Sequence, residues 1–247
     1  MIKVVFLLFL IGHVLADFYL QTSKLALEKD LLFTKLLKHC LIYMLTMIVI
    51  IIPVISIELL LWTVIICLVH FVVDLIKFLL KKKFSFSFKL DTSVFFIDQL
   101  VHILTIVFAV AAIFYLSVPF DYLGWIGKVI EQSQIDPINI LSWVLIILII
   151  IKPISIIIRK VLFHYRPTNN DEADGYPNAG ALIGILERSI ILLLLSVGQY
   201  SAIGFVLTAK SIARYNKMAD DPKFSEYYLL GTLLSSLLVI VIYLIIF

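Results

Sequence analysis

Residues 54–80 read VISIELLLWTVIICLVHFVVDLIKFLL, and this stretch decides the fold class. Within it only Glu58, Asp74 and Lys77 carry a full charge. A helix needs about 20 mostly apolar residues to cross the hydrocarbon core of a bilayer. Lipid offers no partner for backbone N–H and C=O groups, so an apolar run of this length in a membrane is a helix. We therefore predict a transmembrane helix here.

The composition of the whole chain points the same way. Of its 247 residues, 62% are hydrophobic and 15% are charged, and the mean hydropathy is +1.11. A soluble domain is about half apolar and a quarter charged, and it could not hide this much apolar surface. A soluble enzyme, a disulfide-rich secreted domain, a nucleic-acid-binding protein and a disordered chain are therefore disfavoured. Cys40 and Cys67 lie inside apolar runs and are predicted to be core residues, not a disulfide.

Similar apolar runs recur along the chain, and they predict an all-α, polytopic membrane bundle of about eight transmembrane helices. The polar stretch 166–177 is predicted to separate a five-helix part, 1–165, from a three-helix part, 166–247. The seventh run is short and contains Lys210 and Arg214, so whether it crosses fully stays open. The predicted spans are approximately 2–21, 31–52, 54–80, 92–116, 137–163, 178–198, 199–215 and 227–247.

The start of the chain also resembles a secretion signal. Lys3 precedes an apolar run that ends in Val14-Leu15-Ala16, a pattern similar to a cleavage site. Retention is favoured, because cleavage after Ala16 would discard His13, which belongs to the polar set described below.

The basic residues predict the orientation in the membrane. When the eight predicted spans alternate in direction, sixteen of the twenty Lys and Arg residues fall on one side. Lys3 and Lys128 fall on the other side, and Lys152 and Arg188 lie within spans. Short cytoplasmic loops carry an excess of Lys and Arg. We therefore predict a multi-pass protein of the cytoplasmic (plasma) membrane with its basic side in the cytoplasm and both termini outside.

Histidine and aspartate recur near the ends of the first four predicted spans. Three His/Asp pairs have a spacing of four, which places both side chains on one helix face, about 5–6 Å apart. The first span ends where the second begins, and the third ends where the fourth begins. All these residues are therefore predicted to lie at one level, toward the cytoplasmic face. The set is His13 and Asp17, His39, His70 and Asp74, and Asp98 and His102.

This layer is predicted to hold a divalent metal. Helix bundles build metal sites from inward-facing imidazole and carboxylate groups, and ionisable groups inside a membrane usually mark function. These donors suit zinc or manganese, and also iron, and they suffice for two ions. A buried hydrogen-bond network and a proton relay are the alternatives. The predicted metal ligands are His13, Asp17, His70, Asp74 and His102, with His39 and Asp98 as further ligands or catalytic general bases, and Gln21 and Gln99 as groups that orient water or substrate.

A second polar set lies in the last three predicted spans. Glu187 and Arg188 lie roughly 15 Å into their helix at about 1.5 Å per residue, and Lys210 lies about as deep in the next helix. One interpretation is an ion pair, Glu187 with Lys210 or Arg188, that clamps two helices. The other is a cationic pocket in which Arg188, Lys210 and Arg214 bind an anionic head group. Three cations against one carboxylate favour the pocket.

The sequence resembles a family of bacterial integral membrane proteins of unknown function. Residues 12–21 read GHVLADFYLQ, which is similar to the G-H-x-L-A-D-F-x-x-Q signature that opens members of that family. The resemblance extends over most of the chain and implies no activity. Its further motifs are Asp98-Gln99 with His102, residues 184–188, residues 209–214, Glu226-Tyr227 and Gly231-Thr232.

A looser resemblance suggests a reaction class. The His/Asp pairs are similar to those of membrane-bound metal-dependent hydrolases and, more distantly, of the zinc phospholipase C and P1 nuclease fold. That resemblance implies zinc-dependent phosphoester cleavage. We therefore expect a membrane-embedded, metal-dependent hydrolase of an amphiphilic phosphoester, with membrane lipid or lipid phosphate as partner and no nucleic acid. The alternative is a small transporter or partner subunit that uses the layer as a proton relay or structural network.

Overall fold

The computed structural model describes residues 1–84, 86–166 and 179–247, and these residues form helices and no strand. The predicted all-α fold is therefore confirmed. Most of the polar stretch 166–177 lies outside the described residues. A π-helical segment, Leu15–Leu20, continues α1, and 3₁₀ turns cover Ile52–Val54 and Phe163–Tyr165. The helices are α1 (Ile2–Val14), α2 (Ser23–Glu28), α3 (Phe33–Ile51), α4 (Ile57–Lys83), α5 (Phe88–Tyr115), α6 (Gly124–Ser133), α7 (Pro137–Ile151), α8 (Pro153–Val161), α9 (Ala179–Ser196), α10 (Tyr200–Ile212), α11 (Tyr215–Asp220) and α12 (Pro222–Ile246).

Within the described part of the chain, seven helical segments are long and apolar enough to cross a membrane, which supports a membrane protein. The predicted span 199–215 is not among them, because α10 has only 13 residues. At 1.5 Å per residue such a helix is about 20 Å long, short of the roughly 30 Å hydrocarbon core. The seven segments are Ile2–Leu20, Phe33–Val54, Ile57–Lys83, Phe88–Tyr115, Pro137–Val161, Ala179–Ser196 and Pro222–Ile246.

The short α10 continues into α11, and the two together run back beside α12. Lys210, near the end of α10, contacts Glu187 in α9 and Thr232 in α12. Glu187 lies eight residues after the start of α9, and Thr232 ten residues after the start of α12. The two long helices therefore begin at similar levels, and residues 200–220 connect them as a broken return. Both termini lie outside only if this return counts as an eighth crossing, so that expectation stays a prediction.

Packing divides the described chain into two compact units, unit 1 (Met1–Leu145) and unit 2 (Ile146–Phe247). The division falls inside α7, so it does not mark a linker. The domain boundary predicted at residue 165 therefore stays a prediction.

Unit 1 contains a closed ring of four helices. Helix α1 packs against α3 and α5, and α4 packs against the same two helices. The apolar core between them includes Phe9, Met47, Ile66 and Ile106, all almost fully buried. This arrangement lets each helix direct one face inward, so the bundle interior can collect side chains from all four.

The polarity of this ring is the reverse of that in a soluble protein. Polar residues such as His39, Thr63 and His70 are buried, whereas Leu68 and Phe108 are exposed. Apolar side chains facing outward are stable in lipid, and polar groups inside a membrane protein face the bundle interior. The exposed faces of the ring therefore fit a lipid environment.

Gly12 allows α1 and α3 to approach closely. A Cβ atom at this position would lie 2.7 Å from Met47 Sδ, well inside van der Waals contact. Met47 is fully buried, so a side chain at position 12 would require Met47 to shift within the core. Small residues allow close helix packing in membranes, and here the close approach brings His13 to the face of α3.

In unit 2, α12 packs against α8 and α9, and α10 packs against α9. Gly198 has φ of +70°, a left-handed conformation that suits glycine, and it reverses the chain between α9 and α10. Ile191, Leu195 and Val239 form part of the buried apolar interior. The unit therefore holds its helices in register around α12.

We expect cysteine labelling to report the orientation. In a Cys40→Ala/Cys67→Ala background, a membrane-impermeant maleimide should label Lys128→Cys in intact cells, but should label Lys24→Cys and Lys82→Cys only after permeabilisation. The reason is the excess of basic residues on the predicted cytoplasmic side.

Lys217→Cys, in α11, tests the eighth crossing. If the membrane-impermeant maleimide does not label Lys217→Cys in intact cells, α10 and α11 cross the membrane together. Labelling in intact cells would mean that they do not, and would place the two termini on opposite sides.

Candidate functional site

The structure brings together all seven residues of the predicted His/Asp layer. Each is buried, with at most 9% of its surface exposed. His13 and His70 have ring centroids 6.5 Å apart, and the His70 and His102 centroids are 4.2 Å apart. The seven residues are supplied by α1 with its π-helical extension and by α3, α4 and α5. The helical spacing and the alternating direction of the spans were sufficient to predict this convergence.

Donor atoms of the layer approach one another closely enough to share a metal ion in three overlapping groups: His13, Asp17 and His70; His39, His70 and Asp74; and Asp74, Asp98 and His102. His39 Nε2 lies 3.2 Å from His70 Nε2, 3.5 Å from Asp17 Oδ1 and 3.3 Å from Asp74 Oδ2. His70 Nε2 lies 3.8 Å from Asp17 Oδ1 and 3.7 Å from Asp74 Oδ2. Ligands about 2.0–2.1 Å from a tetrahedral ion are about 3.3–3.4 Å apart. His39 Nε2, His70 Nε2 and Asp74 Oδ2 therefore have spacings close to those of ligands on one ion, and Asp17 Oδ1 lies within 3.8 Å of both imidazole nitrogens.

A chain of polar contacts supports His70 from behind. His70 Nδ1 lies 3.3 Å from His102 Nδ1, and His102 Nε2 lies 3.5 Å from Asp98 Oδ1. A neutral imidazole donates from one nitrogen and accepts at the other. If His70 Nε2 faces a ligand, its Nδ1–H donates to His102, whose Nε2–H then faces Asp98. The hydrogen bond between His70 and His102 therefore couples the tautomers of the two rings, and Asp98 lies close to His102 Nε2 without a hydrogen bond to it.

A tyrosine that sequence reasoning missed packs against the layer. The Tyr43 ring stacks on His70, with centroids 3.7 Å apart and an angle of 8° between the planes. Its hydroxyl lies 3.4 Å from His13 Nδ1. Tyr43 lies four residues after His39 on α3, so the spacing used for the His/Asp pairs would have found it. It holds the His70 ring in one orientation.

Asp17 owes its position to the π-helical segment Leu15–Leu20. The wider turn is marked by the Gln21 N–H, which donates to Ala16 O at 3.2 Å, five residues earlier. Single π-helical turns are rare and often occur at functional sites. The Asp17 carboxylate lies 4.0 Å from His13 Nδ1 and accepts a 3.2 Å hydrogen bond from Gln99 Nε2.

Of the two glutamines, only Gln99 has a contact that joins it to the layer. Its amide also lies 3.5 Å from Asp98 Oδ2. Gln21 follows the π-helical segment, and its Oε1 is buried without a hydrogen-bond partner among the described residues. The predicted role of both residues in orienting water or substrate stays a prediction.

Two lysines neutralise carboxylates of the layer. Lys29, only 6% exposed, donates to Asp74 Oδ2 at 2.9 Å. Lys77 donates to Asp98 Oδ2 at 3.0 Å and lies 3.6 Å from Asp74 Oδ1. Sequence reasoning assigned both lysines to the basic cytoplasmic side. Lys77 could have been found from its i,i+3 spacing to Asp74, whereas no sequence pattern points to Lys29.

Lys29 reaches the layer because α2 folds over the end of α3. Thr22 caps α2 by accepting a hydrogen bond from the Leu25 N–H. Lys35 Nζ lies 2.7 Å from Glu28 Oε2, and this hydrogen bond holds the pKa of Glu28 below its ordinary value. The cap and the ion pair position the residue that follows α2.

Several buried polar atoms of the layer have no hydrogen-bond partner within the described residues. Buried polar groups are nearly always satisfied by protein, water or a ligand. These atoms therefore leave hydrogen-bonding capacity in the layer for bound water or a ligand. They are His13 Nε2, Asp17 Oδ1, His39 Nδ1, Asp74 Oδ1, Asp98 Oδ1 and His102 Nε2.

The second predicted set divides into an ion pair and a separate arginine in unit 2. Lys210 donates to Glu187 Oε2 at 2.5 Å and to Thr232 Oγ1 at 3.0 Å. Arg188 is buried and donates to Ile150 O and Ser155 Oγ. Arg214 is exposed at the start of α11. The Glu187–Lys210 pair therefore fits the ion-pair interpretation, whereas Arg188 and Arg214 remain candidates for the cationic pocket.

Comparison with known proteins gives one similarity. Residues 5–123 match the model of a family described as "Protein of unknown function (DUF3307)". No curated protein and no solved structure matches the chain. The matched segment contains all seven residues of the layer. This similarity supports the predicted resemblance to a family of unknown function, and it brings no activity with it.

Proposed function

We propose that the chain is a membrane-embedded, metal-dependent hydrolase that acts on an amphiphilic phosphoester at the cytoplasmic face of the plasma membrane. The observation that carries the proposal is the close approach of His39 Nε2, His70 Nε2 and Asp74 Oδ2, with Asp17 Oδ1 within 3.8 Å of both imidazole nitrogens. In this assignment His39 is a ligand, whereas His13 and His102 lie beside the ligand set.

The donor chemistry fits the metals expected. Two imidazole nitrogens and two carboxylate oxygens suit zinc or manganese. When bound, a divalent metal would make a coordinated water more acidic and polarise a phosphoryl oxygen. The unpaired buried atoms around the set supply further donors for water, substrate or a second ion.

The residues around the ligand set have roles that their contacts define. His102 and Asp98 hold His70 in one tautomer, as the partners of metal-ligating histidines commonly do. Gln99 holds the second oxygen of Asp17. His13, whose Nε2 has no described partner, is a candidate general base.

A proton relay is the second candidate function, and the two buried lysines favour it. Lys29 and Lys77 already compensate Asp74 and Asp98 without any metal. His39, His70 and His102 form a chain with nitrogen–nitrogen distances of 3.2 and 3.3 Å. Reversing the tautomers of three linked imidazoles would move a proton along them. This device suits a transporter or a partner subunit.

The decisive experiment measures metal and turnover on the same purified protein. We expect about one bound zinc or manganese ion per chain, and phosphate release from a lipid phosphate that a chelator abolishes and added metal restores. His70→Gln should lose both. His164→Gln, a histidine of unit 2 outside the layer, is the matched control and should retain both.

Two outcomes would contradict the proposal. If the protein binds metal stoichiometrically but releases no phosphate, the hydrolase function is excluded and a metal carrier is favoured. An absence of metal, together with pH-dependent proton movement that His70→Gln abolishes, would favour the relay.

A further inference from the structure

All four arginines of the chain line one cavity in unit 2. The cavity has a volume of about 810 Å³ and lies where α8 and α10 end and where α9 and α12 begin. Lys210 also lines it, whereas the other fifteen lysines of the chain do not. The arginines are Arg159, Arg166, Arg188 and Arg214. A chain rich in lysine has thus placed every arginine at one site.

The cavity carries an excess of positive charge. Glu187 is the one carboxylate among its described lining residues, and it pairs with Lys210. Arg188 is buried, yet its described hydrogen bonds go to the uncharged groups Ile150 O and Ser155 Oγ. Within the described chain, Arg159 and Arg214 have no ion-pair partner. A buried cation is costly unless it is paired, so this charge indicates an anionic ligand.

The residue type indicates which anion. Arginine presents a planar fork of N–H donors that binds phosphate through two parallel hydrogen bonds, whereas lysine acts as a point charge. For orientation in the membrane alone, lysine serves equally well. Selective use of arginine therefore fits a site that binds phosphate oxygens.

The apolar part of the lining indicates where that phosphate comes from. Phe163, Ile183 and Phe224 share the cavity with the arginines, and Tyr227 and Tyr228 add ring surface with polar tips. The cavity lies at the end of unit 2 where basic residues accumulate, on the predicted cytoplasmic side. A free phosphate ion would gain nothing from apolar walls, whereas a lipid would.

We propose that this cavity binds the phosphate head group of an anionic lipid. Arg188 supplies the buried contact, and Arg159 and Arg214 supply contacts at the exposed rim. The proposal does not rest on hydrolysis or on the metal, because every residue in it belongs to unit 2. Binding measured in the presence of a chelator therefore tests it separately from the proposed function.

The test is binding of dihexanoyl phosphatidic acid to the purified full chain in nonionic detergent with a chelator present. Dihexanoyl phosphatidylcholine and inorganic phosphate are the comparison ligands. We expect phosphatidic acid to bind at least 10-fold more tightly than phosphatidylcholine. Inorganic phosphate should compete only at concentrations about 100-fold higher, because it lacks the apolar contacts.

Variants separate binding from folding. Arg188→Gln should weaken phosphatidic acid binding at least 10-fold, since a buried charge-assisted contact is lost. Because Arg188 is buried, the double variant Arg159→Gln/Arg214→Gln is the safer test, as both side chains are exposed and their loss should leave folding unchanged. Lys223→Gln, an exposed cation at the start of α12 that does not line the cavity, is the matched control.

Clear results would overturn the proposal. Equal affinity for phosphatidic acid and phosphatidylcholine would show that the cavity does not recognise an anionic head group. If the double variant and Lys223→Gln bind phosphatidic acid equally well, Arg159 and Arg214 do not contribute to binding. Competition by inorganic phosphate at concentrations similar to those of the lipid would show that the cavity binds a soluble anion, and would exclude a lipid as its specific ligand.

Discussion

Purified His39→Gln protein is expected to bind zinc about 100- to 1000-fold more weakly than the unmodified chain. Structural zinc sites have apparent binding free energies of about 10–16 kcal/mol, so one of four ligands accounts for roughly 2.5–4 kcal/mol. His39 Nε2 lies within 3.5 Å of each of the other three atoms of the candidate ligand set. Competition with a chromogenic chelator measures the change.

Comparison with the neighbouring histidines makes this result specific. His102→Gln removes only the group that orients His70, and such changes typically weaken metal binding about 10- to 100-fold. A greater loss for His13→Gln or His102→Gln than for His39→Gln would favour the ligand set predicted from the sequence over the set proposed here. Unchanged zinc binding in all three variants would show that the His/Asp layer is not the zinc site.

Replacing Lys29 by methionine is expected to lower the free energy of unfolding by about 3–5 kcal/mol. Removing one partner of a buried ion pair leaves the other charge without compensation. Lys29 Nζ lies 2.9 Å from Asp74 Oδ2, and both side chains are at most 7% exposed. Equilibrium unfolding of the chelator-treated protein in mixed detergent micelles measures the loss.

Two variants control this measurement. Lys24→Met removes a cation whose side chain is 82% exposed and that pairs with Glu28. Its effect should stay within about 1 kcal/mol, as for other surface pairs. Lys29→Met/Asp74→Asn removes both charges and should recover most of the stability. Equal losses in Lys24→Met and Lys29→Met would show that the Lys29–Asp74 pair contributes no special stability.

The Lys29→Met variant also connects stability with the metal. The lysine ammonium and a divalent ion would both lie against Asp74 Oδ2. If the layer binds zinc, added zinc should stabilise Lys29→Met more than it stabilises the unmodified chain, because the competing cation is gone. A proton relay predicts no such difference.

The sequence was informative about the layer because helical geometry is regular. A spacing of four fixes a shared helix face, and alternating spans fix a shared depth. Together they predict that His13, His39, His70 and His102 form one cluster. The same regularity predicted the membrane-spanning helices, since apolar length alone decides them.

Other features of the site depend on long-range contacts that no local pattern reports. Lys29 lies outside a predicted span, and it reaches Asp74 only because α2 folds back over α3. The π-helical segment around Asp17 has no marker in the sequence. The sequence pattern does not rank the four imidazoles, because the approach of particular nitrogens, such as the 3.2 Å between His39 Nε2 and His70 Nε2, depends on side-chain geometry.

The arginine cavity shows a different limit. The sequence points to Arg188 because of its depth in a predicted span, and Arg214 joins it as a third cation of the predicted pocket. Arg159 and Arg166 were used only as evidence for orientation, since loop charges usually serve that role. Their assembly around one cavity follows from the packing of α8 against α9 and α12. Only the tertiary arrangement distinguishes a binding site from a cytoplasmic charge bias.

The pairing of charges between different helices has a consequence for biogenesis. An Asp or Lys at the centre of a helix raises the free energy of insertion by about 2.5–3.5 kcal/mol. Asp74 and Asp98 lie within about ten residues of the turn between α4 and α5, so each can stay near the interface until a partner arrives. Asp98 finds Lys77 within the hairpin itself, whereas Asp74 also contacts Lys29 and His39 of the earlier segments. We therefore expect the translocon to release α4 and α5 as a hairpin that docks onto the earlier helices, and the polar layer to form at that step.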